Sequence, residues 1–292
     1  MDNRIETKKV CISKNNKINT LAIISLISLV IALIFTGCGS QVDSKISIVG
    51  STSVQPLVQE LADKYNEENA QIKIDIQGVG STAGIKAVYD GTCDIGISSR
   101  KLKEEEKAWN LTETLIALDG IAVVVNPNNK VENLSSEQIS KIFKGEIKNW
   151  SELGGEDKEI IVVTREAGSG TLAAFQEIMN LTKKDGDKTI SLIASDALVT
   201  DGNGAVLANV SSKENAIGYM SLGIVDETKV KIVKIDGIEA SAENVKIGKY
   251  PISRPFLMLT KVDTSKEAMD FIDFILSDEG QKLVSKEYIP IN

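Results

Sequence analysis

Histidine is absent from all 292 residues. That removes Ser-His-Asp and Cys-His nucleophilic machinery, imidazole acid–base chemistry and any zinc site with a histidine ligand. Basic residues are outnumbered, 33 against 41 acidic, for a formal net charge of −8. A chain so poor in positive surface is not built to bind nucleic acid. Cysteine is scarce, at three residues. What the chain does have is the balance of a folded protein, 42% hydrophobic and 25% charged, in a length that suits two domains better than one. Three classes remain: a binding protein, an enzyme working with carboxylates, or a structural module.

Leu21 to Phe35 is a 15-residue apolar run broken only by Ser25 and Ser28, and Arg4, Lys8, Lys9, Lys14 and Lys17 precede it. A spanning helix needs about 20 apolar residues, so a basic leader with a run of this length reads as an export signal. The run ends in Phe35-Thr36-Gly37-Cys38, which resembles the lipobox of bacterial lipoproteins, although that family usually has leucine where Phe35 stands. The resemblance implies a signal peptide over 1–37, a diacylated Cys38 as the mature first residue and a lipidated linker over 38–45. The alternative is an uncleaved single-span anchor; in either case the folded part sits outside the cytoplasm at the membrane. Removing the leader's five basic and two acidic residues leaves 28 basic and 39 acidic, net −11. Cys93 is then without a cysteine partner and, in an apolar strand-like segment, reads as a small buried thiol.

Beyond the leader, strand-like runs alternate with helix-period segments, the pattern of an α/β fold. Strands are predicted at 46–49, 72–76, 93–98, 121–125, 160–164, 230–235 and 256–259. Helices are predicted at 54–65, 85–89, 104–109, 136–143, 171–179 and 266–285. The run Glu104-Glu105-Glu106-Lys107 reads as a solvated helix face.

Three times a strand runs into a cluster that opens a helix: Gly50-Ser51-Thr52-Ser53, Gly80-Ser81-Thr82-Ala83-Gly84 and Gly168-Ser169-Gly170-Thr171. Glycine permits close backbone approach, the first helical turn leaves N–H groups free, and the helix dipole places partial positive charge at the same end. Hydroxyls add neutral donors, and Arg165 beside the third cluster adds a fork of charged ones. One such cluster is ordinarily a cap. Three after strands point to a shared crevice for an oxyanion. None ends in Gly-Lys-Ser/Thr, so the lysine and metal-binding hydroxyl of a nucleotide P-loop are missing.

Read in order, GSTSVQP from Gly50, GVGSTAGIK from Gly78, DIGISSR from Asp94, LDGIAVVVNP from Leu118, TREAGSGT from Thr164, NAIGYMSLG from Asn215, YPISRPF from Tyr250 and FILSDEGQKLVSKEYIPI from Phe274 resemble the phosphate-binding lipoprotein of the bacterial phosphate-specific ABC transporter. The resemblance covers nearly all of 46–292. It implies a type II periplasmic-binding-protein fold, with lobe 1 in 42–121 plus 254–292, lobe 2 in 122–253, and two hinge strands near 121–125 and 253–259. By motif, it places phosphate on Thr52, Ser53, Ser81, Ser99, Arg165, Ser169, Gly170 and Thr171. It also implies a monomeric receptor with no cofactor or metal, delivering phosphate to membrane permease subunits served by a cytoplasmic ATPase.

Some well-known members of that family carry an aspartate where this chain has Ser99, and its carboxylate takes the proton of hydrogen phosphate. A site of donors alone would favour sulfate, so an acceptor is expected elsewhere, with Asp119 as the candidate. A carboxylate that often pairs the family's arginine is missing at Ala167. Glu166 or Asp94 could replace it, but neighbours on a strand face opposite ways, which counts against Glu166. The turn Asp201-Gly202-Asn203-Gly204 resembles a family turn beside the cleft, where it could add a backbone or Asn203 contact. Competing readings are a receptor for sulfate, molybdate or tungstate, a secreted phosphatase or phosphoryl transferase, and a structural or adhesive surface lipoprotein. The phosphatase would need a metal cluster or an activated nucleophile, and no dense carboxylate constellation is present.

Overall fold

The computed structural model describes residues 44–186 and 188–292; the export leader and Cys38 lie outside them. In chain order the strands are β1 Ser44–Gly50, β2 Ile72–Gly78, β3 Ile95–Ser98, β4 Thr112–Val125, β5 Asn133–Leu134, β6 Ile161–Arg165, β7 Thr182–Asp185, β8 Lys188–Ser191, β9 Leu198–Thr200, β10 Ala216–Ser221, β11 Lys231–Ile232, β12 Lys234–Ile235 and β13 Ser253–Thr260. The helices are α1 Gln55–Asn66, α2 Ser81–Asp90, α3 Glu104–Lys107, α4 Ser136–Phe143, α5 Gly170–Ile178, α6 Gly202–Ser212, α7 Ala242–Lys246, α8 Lys266–Leu276 and α9 Asp278–Val284.

One sheet carries the order β2-β1-β3-β13-β4-β10-β6-β9, with β11 also on β4. β1 pairs parallel with β2 and β3, and β10 parallel with β6, while β13 and β4 run antiparallel to their neighbours. β4 is the long member. Its residues 112–120 pair with β13 and its residues 121–125 with β10. Both faces of that second stretch are covered: Ile121, Val123 and Val125 enter one apolar cluster and Ala122 and Val124 another. Burial on both faces is why Ile121–Val125 reads as an unbroken apolar run.

Two main cores divide along this strand. Ile46, Ile48, Leu57, Leu61, Ile97, Ala117, Phe256 and Phe271 form one, Ile121, Phe143, Trp150, Phe175, Tyr219, Tyr250 and Ile252 the other. The chain passes between them within β4, again between Ile252 and Phe256, and near the end, where Ile289 bridges to Leu118.

Local chemistry sets the element ends. α1 carries Pro56, pre-shaped for a helix, in its first turn, and buries Leu57, Val58, Leu61, Ala62 and Tyr65 on one face. Ser135 and Gln138 cap α4 reciprocally. The single helix expected over 266–285 is two. Ser277 Oγ accepts from Gly280 N at 3.2 Å and opens α9, and a Cβ at Gly280 would lie 2.3 Å from the Phe274 carbonyl oxygen, so the chain folds back on α8. The strand expected over 230–235 is split into β11 and β12, and β3 begins at Ile95. Cys93 is buried, and burial pushes its thiol up to about 11.

Candidate oxyanion-binding site

The three glycine–hydroxyl loops meet. Gly50 ends β1 with φ +148°, and a Cβ there would lie 2.0 Å from the Ile97 carbonyl oxygen, so only glycine lets β1 run this close to β3. Its own carbonyl accepts Val79 N and Gly80 N, both at 2.8 Å, which locks the second loop against the first. Ser51 Oγ donates to Ser99 Oγ at 2.8 Å, and Ser99 N donates to Ser81 Oγ at 3.1 Å. The third loop arrives from the other core. Thr82 N donates to the Gly168 carbonyl at 3.1 Å. At Gly170 a Cβ would lie 2.2 Å from Ser81 Oγ and 2.5 Å from Ser99 Oγ, so the first turns of α2 and α5 face each other.

Arg165, the last residue of β6, is 2% exposed. Its backbone N–H donates to Tyr219 Oη at 3.3 Å, and Thr164 Oγ1 lies 2.9 Å from the same oxygen. Burial, only partly offset by those hydrogen bonds, pushes the Tyr219 phenol up to about 12, so it stays a neutral strut at ordinary pH. The Arg165 guanidinium gives Nε and Nη2 to Glu166, each at 2.8 Å, and Nη2 also to Thr52 Oγ1 at 3.1 Å. Nη1 is buried without a partner. Glu166 is therefore the carboxylate that holds the arginine, against the strand-alternation expectation. β6 has already ended at Arg165, and the turn that follows brings Glu166 back onto its neighbour. Asp94 is spent elsewhere, accepting Ser47 N and Oγ at 2.7 Å.

The remaining expected residues join this cluster. Ser53 Oγ lies 2.9 Å from Thr171 Oγ1. Ser169 caps α5, its Oγ accepting Leu172 N at 3.2 Å. Asp119, expected to offer its carboxylate to the ligand, has other partners: Oδ2 accepts Arg254 Nη2 at 3.0 Å, Arg254 Nε at 3.2 Å and Ser221 Oγ at 2.8 Å. The reason is register, since β13 sets Arg254 directly opposite Asp119 on β4. Burial pushes the Asp119 carboxyl up and the Arg254 guanidinium down, while their mutual attraction opposes both shifts.

Two residues enter beyond the contacts carried over by motif: Arg254, which had no assigned role, and Asn203, in the turn expected beside the cleft. Arg254, 3% exposed, donates from Nη1 to Thr171 Oγ1 at 2.7 Å. Asn203, at the start of α6, donates to Ser53 Oγ at 2.9 Å. The signal for Arg254 lies in Tyr250–Phe256, where it is the one charged side chain.

A cluster of buried hydroxyls, two facing helix N-termini and a buried arginine with an unspent donor is what comparison with known proteins makes specific. A family model of the PBP superfamily domain matches residues 38–279. The phosphate-binding protein PstS of Bacillus subtilis (strain 168) is 32% identical over 298 residues, which cover 95% of each chain. The chain belongs to this family. Among solved PBP structures, an ABC transporter substrate-binding protein with bound phosphate from Clostridium perfringens is 43% identical with a TM-score of 0.80, over 85% of this chain and 100% of that one. An ABC-type phosphate transport receptor from Vibrio cholerae is 40% identical with a TM-score of 0.70, over 84% and 99%. The mixed α/β architecture is that of phosphate-binding PBP proteins.

Proposed function

We propose that this protein is an extracytoplasmic receptor that captures inorganic phosphate between its two cores and delivers it to an ABC-type permease. The observation that carries the reading is Arg165: a guanidinium 2% exposed, with Nη1 buried and unpartnered, beside two opposed helix N-termini. A buried charged donor without an acceptor is costly, and a tetrahedral oxyanion supplies the acceptor.

The contacts we assign are Thr52, Ser53, Ser81, Ser99, Arg165, Ser169, Gly170 and Thr171, with Asp119 behind them. Hydroxyls accept as well as donate, so a proton-bearing phosphate oxygen can be matched at Ser81 or Ser99 without a free carboxylate. The lobes are 42–121 plus 254–292 and 122–253, and closure is a hinge motion favoured because only the closed form brings both sets of donors to the ion. The receptor works without catalysis and as a monomer. Cys38 carries the lipid that keeps it near the permease; among the described residues no helix is long and apolar enough to cross a membrane.

The test is calorimetric titration with phosphate, sulfate, arsenate and molybdate at two pH values, on wild type and on Arg165→Ala. Phosphate should bind one to one, and the variant should lose on the order of 100-fold in affinity, as the charge-assisted hydrogen bonding from Nη1, about 1.5–3 kcal/mol per bond, is removed and the Glu166 carboxylate is left beside the ion without its counter-charge. Sulfate binding as tight as phosphate would make this a receptor for fully ionised oxyanions, and the absence of any oxyanion binding would leave the structural reading.

A further inference from the structure

Arg254 and Asp119 face each other across β13 and β4, the two strands by which the chain passes between the cores. Each side chain of the pair is 1% exposed. The guanidinium is divided: Nε and Nη2 go to Asp119, and Nη1 reaches Thr171 Oγ1 on the first turn of α5, at 2.7 Å. From Thr171 the hydrogen bonds continue to Ser53 Oγ, to Asn203 Nδ2, through Asn203 Oδ1 to Ser221 N at 3.2 Å, and by Ser221 Oγ back to Asp119. The circuit is closed, and it crosses β13, α5, the loop after β1, α6, β10 and β4.

Its polarity follows from groups that can act in one way only. A guanidinium donates and never accepts, so Thr171 Oγ1 accepts from Arg254. The Ser221 backbone N–H fixes Asn203 Oδ1 as an acceptor, so Asn203 Nδ2 donates to Ser53 Oγ. Thr171 and Ser53 thus each accept already. Of their two hydroxyl protons, one lies between them, and the other has no acceptor within the circuit.

We infer that Arg254 is a positioning residue for oxyanion capture: anchored by Asp119, it forces the Thr171–Ser53 hydroxyl pair to present a proton to the ion and ties β13 to α5 in the closed form. The inference rests on the phosphate-receptor reading. It gives Asp119 a task other than receiving the ligand's proton, and it makes the crossing strands part of the site.

Arg254→Gln alone would leave a buried carboxylate unpaired, so the test uses Asp119→Asn/Arg254→Gln, which removes both charges and leaves an amide on each strand, together with Arg254→Lys. Phosphate affinity is read by calorimetry, the fold by thermal unfolding without phosphate, and closure by small-angle scattering with and without phosphate. The double variant should fold, bind phosphate at least about 10-fold more weakly than wild type, and contract only at correspondingly higher phosphate. Arg254→Lys should fall between the two, because one ammonium cannot span Asp119 and Thr171 together. Wild-type affinity in a folded double variant overturns the inference; should that variant not fold, wild-type affinity in Arg254→Lys overturns it. A wild type that fails to bind phosphate removes the reading beneath it, a result separable from either.

Discussion

Arg100, Arg165 and Arg254 are each at most 5% exposed, and each faces a carboxylate, Glu106, Glu166 and Asp119 respectively. The lysine pairs are peripheral, as with Lys86 and Asp90 or Lys266 and Asp270. The division follows from shape: a planar fork can satisfy a carboxylate and still have nitrogen left for a hydroxyl or a carbonyl. Arg100 uses the surplus on Thr82 Oγ1, at 3.0 Å, and so steadies the second loop. Its partner corrects a reading of the charge run, since Glu104 and Glu105 are solvated but Glu106 is 4% exposed. Burial pushes the Glu106 carboxyl up, but Arg100 and the Lys103 N–H outweigh it, and the folded group titrates below its ordinary value. As pH falls, the unfolded chain therefore takes the proton first. The pair's stabilisation is complete above about pH 4.3 and is lost as pH drops through the depressed folded value. Glu106→Gln should cost about 3 kcal/mol at pH 7, because Arg100 is left buried without its counter-charge, and should flatten the acid limb. Urea unfolding at pH 7, 5 and 3.5 measures both; an acid limb as steep as wild type's would remove Glu106 as its source.

At the scale of elements, the decisive contact is the meeting of α2 and α5. Gly170 is at the first position of α5, where alanine is the better helix former by roughly 0.5–1 kcal/mol. A Cβ there would press on Ser81 Oγ, Ser81 Cβ and Ser99 Oγ. Gly170→Ala should leave thermal stability without ligand close to wild type and weaken phosphate binding at least about 10-fold, because the methyl group holds the two first turns apart. Unchanged affinity in calorimetry would mean that these helix ends do not close on the ion. The loops that make this contact were legible in the sequence because their chemistry is local: a strand, then glycine and hydroxyls, then a helix. What escaped was non-local or unpatterned. β10, Ala216–Ser221, is buried at every residue and so has no alternation to read. α6 was missed because its buried positions are few, Asn203, Val206 and Val210, although the turn that opens it had offered Asn203 as a contact. Glu166 was set aside by a rule for strands that had ceased to apply one residue earlier. The Asp119–Arg254 pair joins residues 135 positions apart through a register that only the folded sheet defines.

For the whole molecule, a net charge of −8 looks unsuited to an anion. The site, however, is locally balanced, each of its two arginines being matched by a carboxylate, and screening confines the far field to about 8–10 Å. On the proposed function, attraction comes from oriented donors of both cores, and that fixes how ligand and stability are linked. The two cores are joined by a few strand crossings and by hydrogen bonds through the site, such as Arg165 to Thr52 and Asn203 to Ser53. An ion held by both binds the closed native state and nothing unfolded. Phosphate at a hundredfold excess over Kd should therefore add about 2.7 kcal/mol, a rise of about 5–10 °C in Tm for a chain of this size. Because the ion couples the cores, the transition should also sharpen, with calorimetric and van't Hoff enthalpies converging as phosphate is added. Differential scanning calorimetry across a phosphate series measures both effects. A rise in Tm with no gain in cooperativity would place the ion on one core alone.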